Sequence, residues 1–217
     1  MHGRLGYIEE NSGEQAQETM NYMKIPRKIN LPDKAVRLAC GSDFSACITT
    51  RGELYTWGNN KLGYLGVEAA KIEDEQSYVT TPTLVKSLMS KVVIQVGCGS
   101  KHMMCLTSDR LVYSWGSGNN GVLGHDNNDG LNKPELIKEL KQYEIIFISA
   151  GDFSSAAINS DGNLFMWGRG KYGILGQGSE ENQLKPKKIQ DTILLNEKIF
   201  YVSCGFYHTL CCAGNKY

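Results

Sequence analysis

The dipeptide Trp-Gly occurs three times, at Trp57-Gly58, Trp115-Gly116 and Trp167-Gly168, spaced by 58 and then 52 residues. A period of that size points to a repeat architecture, in which each unit buries its apolar face only against its neighbours. Other elements recur in step with it. Gly-x-Leu-Gly follows each Trp-Gly, ending at Gly66, Gly124 and Gly176, and stands once more over residues 3–6. A small residue and a glycine open a short apolar run at Cys40-Gly41, Cys98-Gly99, Ala150-Gly151 and Cys204-Gly205. Upstream again lies Pro-x-x-[Val/Ile], beginning at Pro26, Pro82, Pro134 and Pro186. Four elements in a fixed order are not a chance pattern.

Each apolar run is short, rich in Val, Ile, Tyr and Phe, and bounded by Gly, Asn, Asp or Ser, which is the signature of a strand. The chain holds 24 Gly in 217 residues, well above the usual ~7 % and without a collagen period, so many tight turns are implied. Arg51-Gly52 and Asp161-Gly162 sit where hairpins must turn, but the second repeat has Asp109-Arg110 there. That turn either strains Arg110 or changes type. Residues 136–143 read as a loop decoration with some helical character. Four short strands per repeat give an all-β chain of four-stranded antiparallel blades, a β-propeller.

The residues also carry a family resemblance. Cys204-Gly-Phe-Tyr-His-Thr209, Leu54-Tyr-Thr-Trp-Gly58 and the Gly-x-Leu-Gly elements resemble the regulator of chromosome condensation repeat family, and the likeness spans essentially the whole chain. It implies one repeat region over 1–217. The end of a preceding blade and its loop occupy 1–23. Repeats follow at 24–80, 81–132 and 133–184, with a partial repeat at 185–217. Family rings typically have about seven blades, so about four blades make a partial propeller. Three arrangements fit: a fragment, completion by a further chain or a second copy, or closure as a four-bladed ring.

The motif positions divide into structure and surface. Gly41, Gly99, Gly151 and Gly205, the pairs Trp57-Gly58, Trp115-Gly116 and Trp167-Gly168, and the closing Gly66, Gly124 and Gly176 read as blade punctuation. His102 and His208 read as turn anchors that hydrogen-bond a neighbouring blade, since Phe44 and Ser154 hold the equivalent positions. The two Gly-x-Gly-x-x-Gly matches, from Gly116 and from Gly168, recur in register with the repeat and precede no helix, so they read as turns. Cys40/Cys47, Cys98/Cys105 and Cys204/Cys211 share a repeat spacing, and Ala150 and Ala157 replace them in the third copy. Such slots call for a small buried side chain, not a zinc ligand. No catalytic residue, metal or cofactor is expected.

Lys+Arg and Asp+Glu are equal at 23 each, which argues against direct binding of bare nucleic acid or acidic membrane. No secretory signal is seen, and an odd count of seven Cys fits an intracellular compartment, in cytoplasm, nucleus or cilium. Acidic inserts at 7–25, 67–81, 125–133 and 177–185 are expected on one face. The Gly-x-x-His turns are expected on the opposite face, presenting Asp43, Phe44, Lys101, Asp152, Phe153, Phe206 and Tyr207 to a partner. A plant ultraviolet photoreceptor with these repeats places Trp just after the motif glycine. Here that slot holds Ser42, Ser100, Asp152 and Phe206, which gives light sensing no support.

The expected function is therefore a non-enzymatic protein-interaction module. Its partner could be a small GTPase, a chromatin protein or a cytoskeletal protein. The resemblance also implies two alternatives: guanine-nucleotide exchange on a Ran-like GTPase, or a regulatory propeller piece of a larger kinase or ubiquitin ligase.

Overall fold

Short apolar runs closed by glycine turns form fourteen strands in the computed structural model, which describes residues 3–6, 26–67, 77–190 and 197–214. The first sheet contains β1 (Ala35–Cys40), β2 (Phe44–Thr49), β3 (Leu54–Asn59) and β4 (Tyr78–Leu84). The second contains β5 (Val93–Cys98), β6 (His102–Thr107), β7 (Val112–Gly116) and β8 (Leu131–Leu136). The third contains β9 (Ile145–Ala150), β10 (Ser154–Asn159), β11 (Leu164–Gly168) and β12 (Gln183–Lys188). In each, chain order is spatial order and neighbours are antiparallel. A fourth sheet has β13 (Ile199–Cys204) and β14 (Thr209–Ala213).

Packing runs from each sheet to the next: β1 and β2 lie on β5, β5 and β6 on β9, and β9 and β10 on β13. The described sheets form an arc of propeller blades that does not close, which sets aside the four-bladed ring. The blades are also out of phase with the repeats as read from sequence. Pro82, Pro134 and Pro186 lie in β4, β8 and β12, so the boundaries at 80, 132 and 184 cut through the last strand of a sheet. A sequence period fixes the length of a unit but not its starting point; hydrogen bonding decides that.

The core consists of layers between successive sheets. Phe44, Leu65, Met103 and Trp115 meet between the first two, and Leu106, Ile148, Phe165 and Trp167 between the next two. Each central strand sets its Trp opposite a fixed position of the preceding strand: Trp57 opposite Ser45, Trp115 opposite Met103, and Trp167 opposite Ser155. The indole then covers the Gly-x-Leu-Gly turn of the sheet before. A Cβ on Gly66 would meet Trp115 Nε1 at 2.7 Å, and one on Gly124 would meet Trp167 Nε1 at 2.9 Å. These closing glycines also have positive φ, 67° and 79°, so both space and backbone conformation require Gly.

Trp57 Nε1 donates to Arg4 O at 3.0 Å and Trp167 Nε1 to Val122 O at 2.8 Å. The same two carbonyls accept Ser45 Oγ and Ser155 Oγ. Trp115 Nε1 is buried without a hydrogen-bond partner, in the sheet where Met103 replaces that serine.

Residues 136–143 hold one 3-10 turn, Lys138–Leu140, and there is no α-helix among the described residues. None of them forms a helix long and apolar enough to cross a membrane. The hairpin at Arg110 resolves into the strained alternative. Arg110 has φ +66°, beside +76° at Gly52 and +85° at Gly162, and all three N–H groups close the same turn, onto Thr107, Thr49 and Asn159. A side chain in that conformation costs about 1 kcal/mol or more. Arg110→Gly should therefore be more stable than Arg110→Ala by about 1 kcal/mol. The comparison is read as a shift in denaturant midpoint at unchanged slope.

Candidate functional site

Antiparallel order puts the β1–β2 turn and the β3–β4 loop at the same end of a sheet. Hydrogen bonds tie them together in all three complete sheets: Asn59 N donates to Asp43 O, Ser117 N to Lys101 O, and Arg169 N to Phe153 O, at 2.8, 2.8 and 2.9 Å. The inserts follow the same end. Gly170 N donates to Asn182 Oδ1 at 3.0 Å, which holds the 177–185 insert against the loop after Trp167. The Gly-x-x-His turns and the inserts thus share one face, which corrects the expectation of opposite faces. The inserts at 7–25 and most of 67–81 lie outside the described residues. The acidic residues that are described are interleaved with basic ones, as in the Lys185–Asp126 pair at 3.4 Å.

Of the seven surface residues expected here, three come together. Phe153 meets Phe206 edge to face at 5.2 Å between ring centroids, and Phe206 meets Tyr207 at 4.1 Å. Tyr207 in turn meets Tyr172 at 5.5 Å, again edge-on. The Arg169 guanidinium stands 5.2 Å from the Phe153 centroid and the Lys171 ammonium 4.8 Å from that of Tyr172. The result is a ribbon, Arg169–Phe153–Phe206–Tyr207–Tyr172–Lys171, with four rings in the middle and a cation at each end. Phe206 and Tyr207 are 43 % and 54 % exposed.

The remaining four residues do other things. Asp43 pairs with Arg4 at 2.6 Å. Lys101 is exposed on the equivalent turn of the second sheet. Asp152 accepts Ser100 Oγ on its main-chain oxygen at 2.7 Å, and partial burial raises its carboxyl above the usual range. Phe44 is a correction: it is 1 % exposed and packs in the core against Tyr64. It fills the slot held elsewhere by His102, which faces the next sheet and not the solvent.

Arg169, Lys171 and Tyr172 were not among the expected surface residues. They lie in the stretch Gly168-Arg-Gly-Lys-Tyr-Gly173, where turn logic accounts for the glycines alone. The available signal was Tyr172 itself. It occupies a left-handed position, φ +64°, where the other copies carry Leu62 and Asn120.

His102 reaches from its turn to the neighbouring sheet. Ser155 Oγ donates to Val122 O at 2.8 Å, so it must accept from His102 Nε2–H, 3.0 Å away in the neighbouring sheet. The backbones are close here, because a Cβ on Gly99 would lie 2.2 Å from the His102 ring and 2.5 Å from Gly151 O. His208 differs: it is exposed and lines a cavity beside β14. The thiols divide similarly. Cys47 and Cys105 are buried and burial pushes both pKa values up, Cys47 to about 11. Cys40 and Cys211 are exposed because they lie on the outermost described sheets, which a neighbour covers on one side only. No three His, Cys, Asp or Glu side chains converge on a metal position among the described residues.

A family model described as RCC1-like domain matches residues 1–211. The chain belongs to the RCC1-like domain family. This RCC1-like domain is similar to the human E3 ubiquitin-protein ligase HERC2, at 35 % identity over 82 % of the chain and 4 % of the ligase. It is also similar to the Arabidopsis thaliana ultraviolet-B receptor UVR8, at 33 % identity over 81 % of the chain and 38 % of the receptor. The chain thus spans a minor part of these curated relatives. Among solved structures, Prp20p from Saccharomyces cerevisiae superposes with a TM-score of 0.75 at 21 % identity, over 84 % of this chain and 44 % of that one. That likeness shows the fold.

Burial lowers the His102 pKa to about 4, against about 6.5 in the unfolded chain. Between these values the unfolded chain binds more protons, so stability rises with pH across the window and is lost as pH falls. Acidification from pH 7 to 4 should cost on the order of 3 kcal/mol from this group. In His102→Phe, which copies Phe44, the difference in unfolding free energy between pH 7 and pH 4.5 should shrink correspondingly. Urea titrations at the two pH values check it.

Proposed function

We propose that the chain is a non-enzymatic protein-binding module, and that the ribbon Arg169–Phe153–Phe206–Tyr207–Tyr172–Lys171 is its contact surface. The observation that carries this reading is four exposed or half-buried rings in mutual contact on a rigid β scaffold. Interfaces concentrate their energy in such aromatic and Arg residues, and loops on a fixed framework are where binding resides. A cation at each end favours a partner segment that joins acidic side chains to an aromatic or aliphatic anchor.

Peptide display on the immobilised chain, counter-selected against Phe206→Ala/Tyr207→Ala, tests this. Acidic segments with an aromatic anchor should be enriched, and their affinity should fall about tenfold or more on the double variant. Equal enrichment on both proteins would sink the reading.

A second reading is a regulatory propeller portion of a larger ligase. Its support is the similarity to HERC2, an E3 ubiquitin-protein ligase in which the matching part is a small fraction of the length. Guanine-nucleotide exchange on a Ran-like GTPase is supported by fold likeness to Prp20p, whose structure was described with its binding to Gsp1p and histones. Nucleotide release from such a GTPase, with and without this chain at micromolar concentration, separates exchange from binding alone. The binding-module reading expects no acceleration.

A further inference from the structure

Between the second and third sheets, both complete, lies a polar cavity of about 370 Å³. Lys185 of β12 bounds it on one side, and β8, the 3-10 turn after it and the turn at 124–127 bound it on the other. The two sides are fastened together. Asp126 N donates to Leu184 O at 3.0 Å, and the Asp126 carboxylate pairs with Lys185. His125 decides the chemistry of the site. Ser114 is fully buried and has one hydroxyl proton, which it gives to Leu123 O at 2.6 Å. Its oxygen, 2.9 Å from His125 Nε2, must therefore accept from Nε2–H. Burial lowers the His125 pKa below the ordinary histidine value, so at pH 7 the ring is neutral and Nδ1 is its acceptor.

The charges around that ring do not balance. Lys185 and Asp126 answer each other, which leaves Glu135 and Glu139 against Lys138, with one negative charge in excess. Glu135 and Lys138 both act electrostatically on the His125 ring. The repeat does not dictate this arrangement. In the first sheet Thr56 makes the Ser114 hydrogen bond, onto Leu65 O at 2.8 Å. There, however, buried Val67 stands in the place of His125 and Thr83 in that of Glu135. In the third sheet Met166, Gln177 and Lys187 hold the positions of Ser114, His125 and Glu135. Of the three complete sheets, the second alone sets an imidazole acceptor beside a carboxylate here.

We propose that this cavity binds a guanidinium group, carried by an arginine side chain or by a free arginine-like molecule. The planar fork donates from one edge to His125 Nδ1 and from another to the Glu135 carboxylate, and its charge cancels the excess. The methylene stem lies on Leu131, which also lines the cavity. A neutral imidazole beside carboxylates calls for a cation that is itself a donor on more than one side, and a compact ammonium meets that demand less well. A metal ion fits poorly, because no three His, Cys, Asp or Glu side chains converge among the described residues. The cavity shares no residue with the aromatic ribbon.

Titration of the ¹⁵N-labelled full 217-residue chain with N-acetyl-arginine methylamide, followed at the His125 ring nitrogens, tests this. The His125 signals are assigned by their loss in His125→Gln. Saturable binding at roughly millimolar probe is expected, with a shift at Nδ1 larger than at Nε2. The neutral isostere N-acetyl-citrulline methylamide should bind about tenfold or more weakly, and Glu135→Lys, which copies Lys187, should weaken the arginine probe to a similar extent. Glu135 is already exposed, and thermal unfolding checks the fold of that variant. Glu139→Ser, which copies Ser87, is the second variant and should cost several-fold in affinity. Free arginine separates the sources: tighter binding than the capped probe supports a free ligand, and weaker binding supports a side chain. Equal binding of the arginine and citrulline probes, no saturation, or indifference to both variants overturns the proposal. So does loss of probe binding in Phe206→Ala/Tyr207→Ala, which would move the contact to the ribbon.

Discussion

The rest of the structure depends on the seating of a Trp indole from one sheet on the Gly-x-Leu-Gly turn of the sheet before. Each partner offers what the other lacks. The turn has glycine at positive φ and leaves a carbonyl and an apolar hollow exposed, and the indole is a large apolar ring with one donor to satisfy. Joined, they bury the ring, satisfy Nε1–H at Trp57 and Trp167, and set the distance at which the next sheet must sit. Burial of a ring of this size is worth several kcal/mol. The close backbone approach at Gly99 and Gly151 follows from that spacing.

A scaffold held together edge to edge in this way leaves its turns free to vary. The hydrogen bonds from Asn59, Ser117 and Arg169 hold each inner turn beside its insert, so variation in both reaches solvent on one face. The inner turns carry Asp43, Lys101, Phe153 and Tyr207 at one structural position. A salt-bridged acid, an exposed lysine and two rings of the aromatic ribbon thus occupy equivalent places. The framework dictates the position and leaves the chemistry to the side chain, which is how one fold serves many partners.

Much of this was legible in the sequence. The period, the strand identity and the family came from Trp-Gly, Cys-Gly and Gly-x-Leu-Gly spacing, because each motif answers a local steric demand. Arg110 was legible for the same reason: a missing glycine in a repeated turn leaves two outcomes, and the backbone took the strained one. What did not show was anything that depends on direction. Whether two loops share a face follows from the antiparallel order of four strands, and a period alone does not reveal it. Phe44 looked like a surface aromatic because it lies in the Gly-x-x-His turn, yet its side chain packs between sheets. The ribbon joins Tyr172 of one sheet to Tyr207 of the next across residues distant in the chain, and of its rings only Phe153 and Tyr207 share a motif position.

The indole contact also has a sense of direction. The turn always comes earlier in the chain than the ring it receives, so the contact is not its own mirror. Blades joined through it cannot be related by a two-fold axis, since each would offer the other the same half. They must follow one another in a single sense, the heterologous, head-to-tail relation, in which the angle between successive sheets sets the curvature of the series.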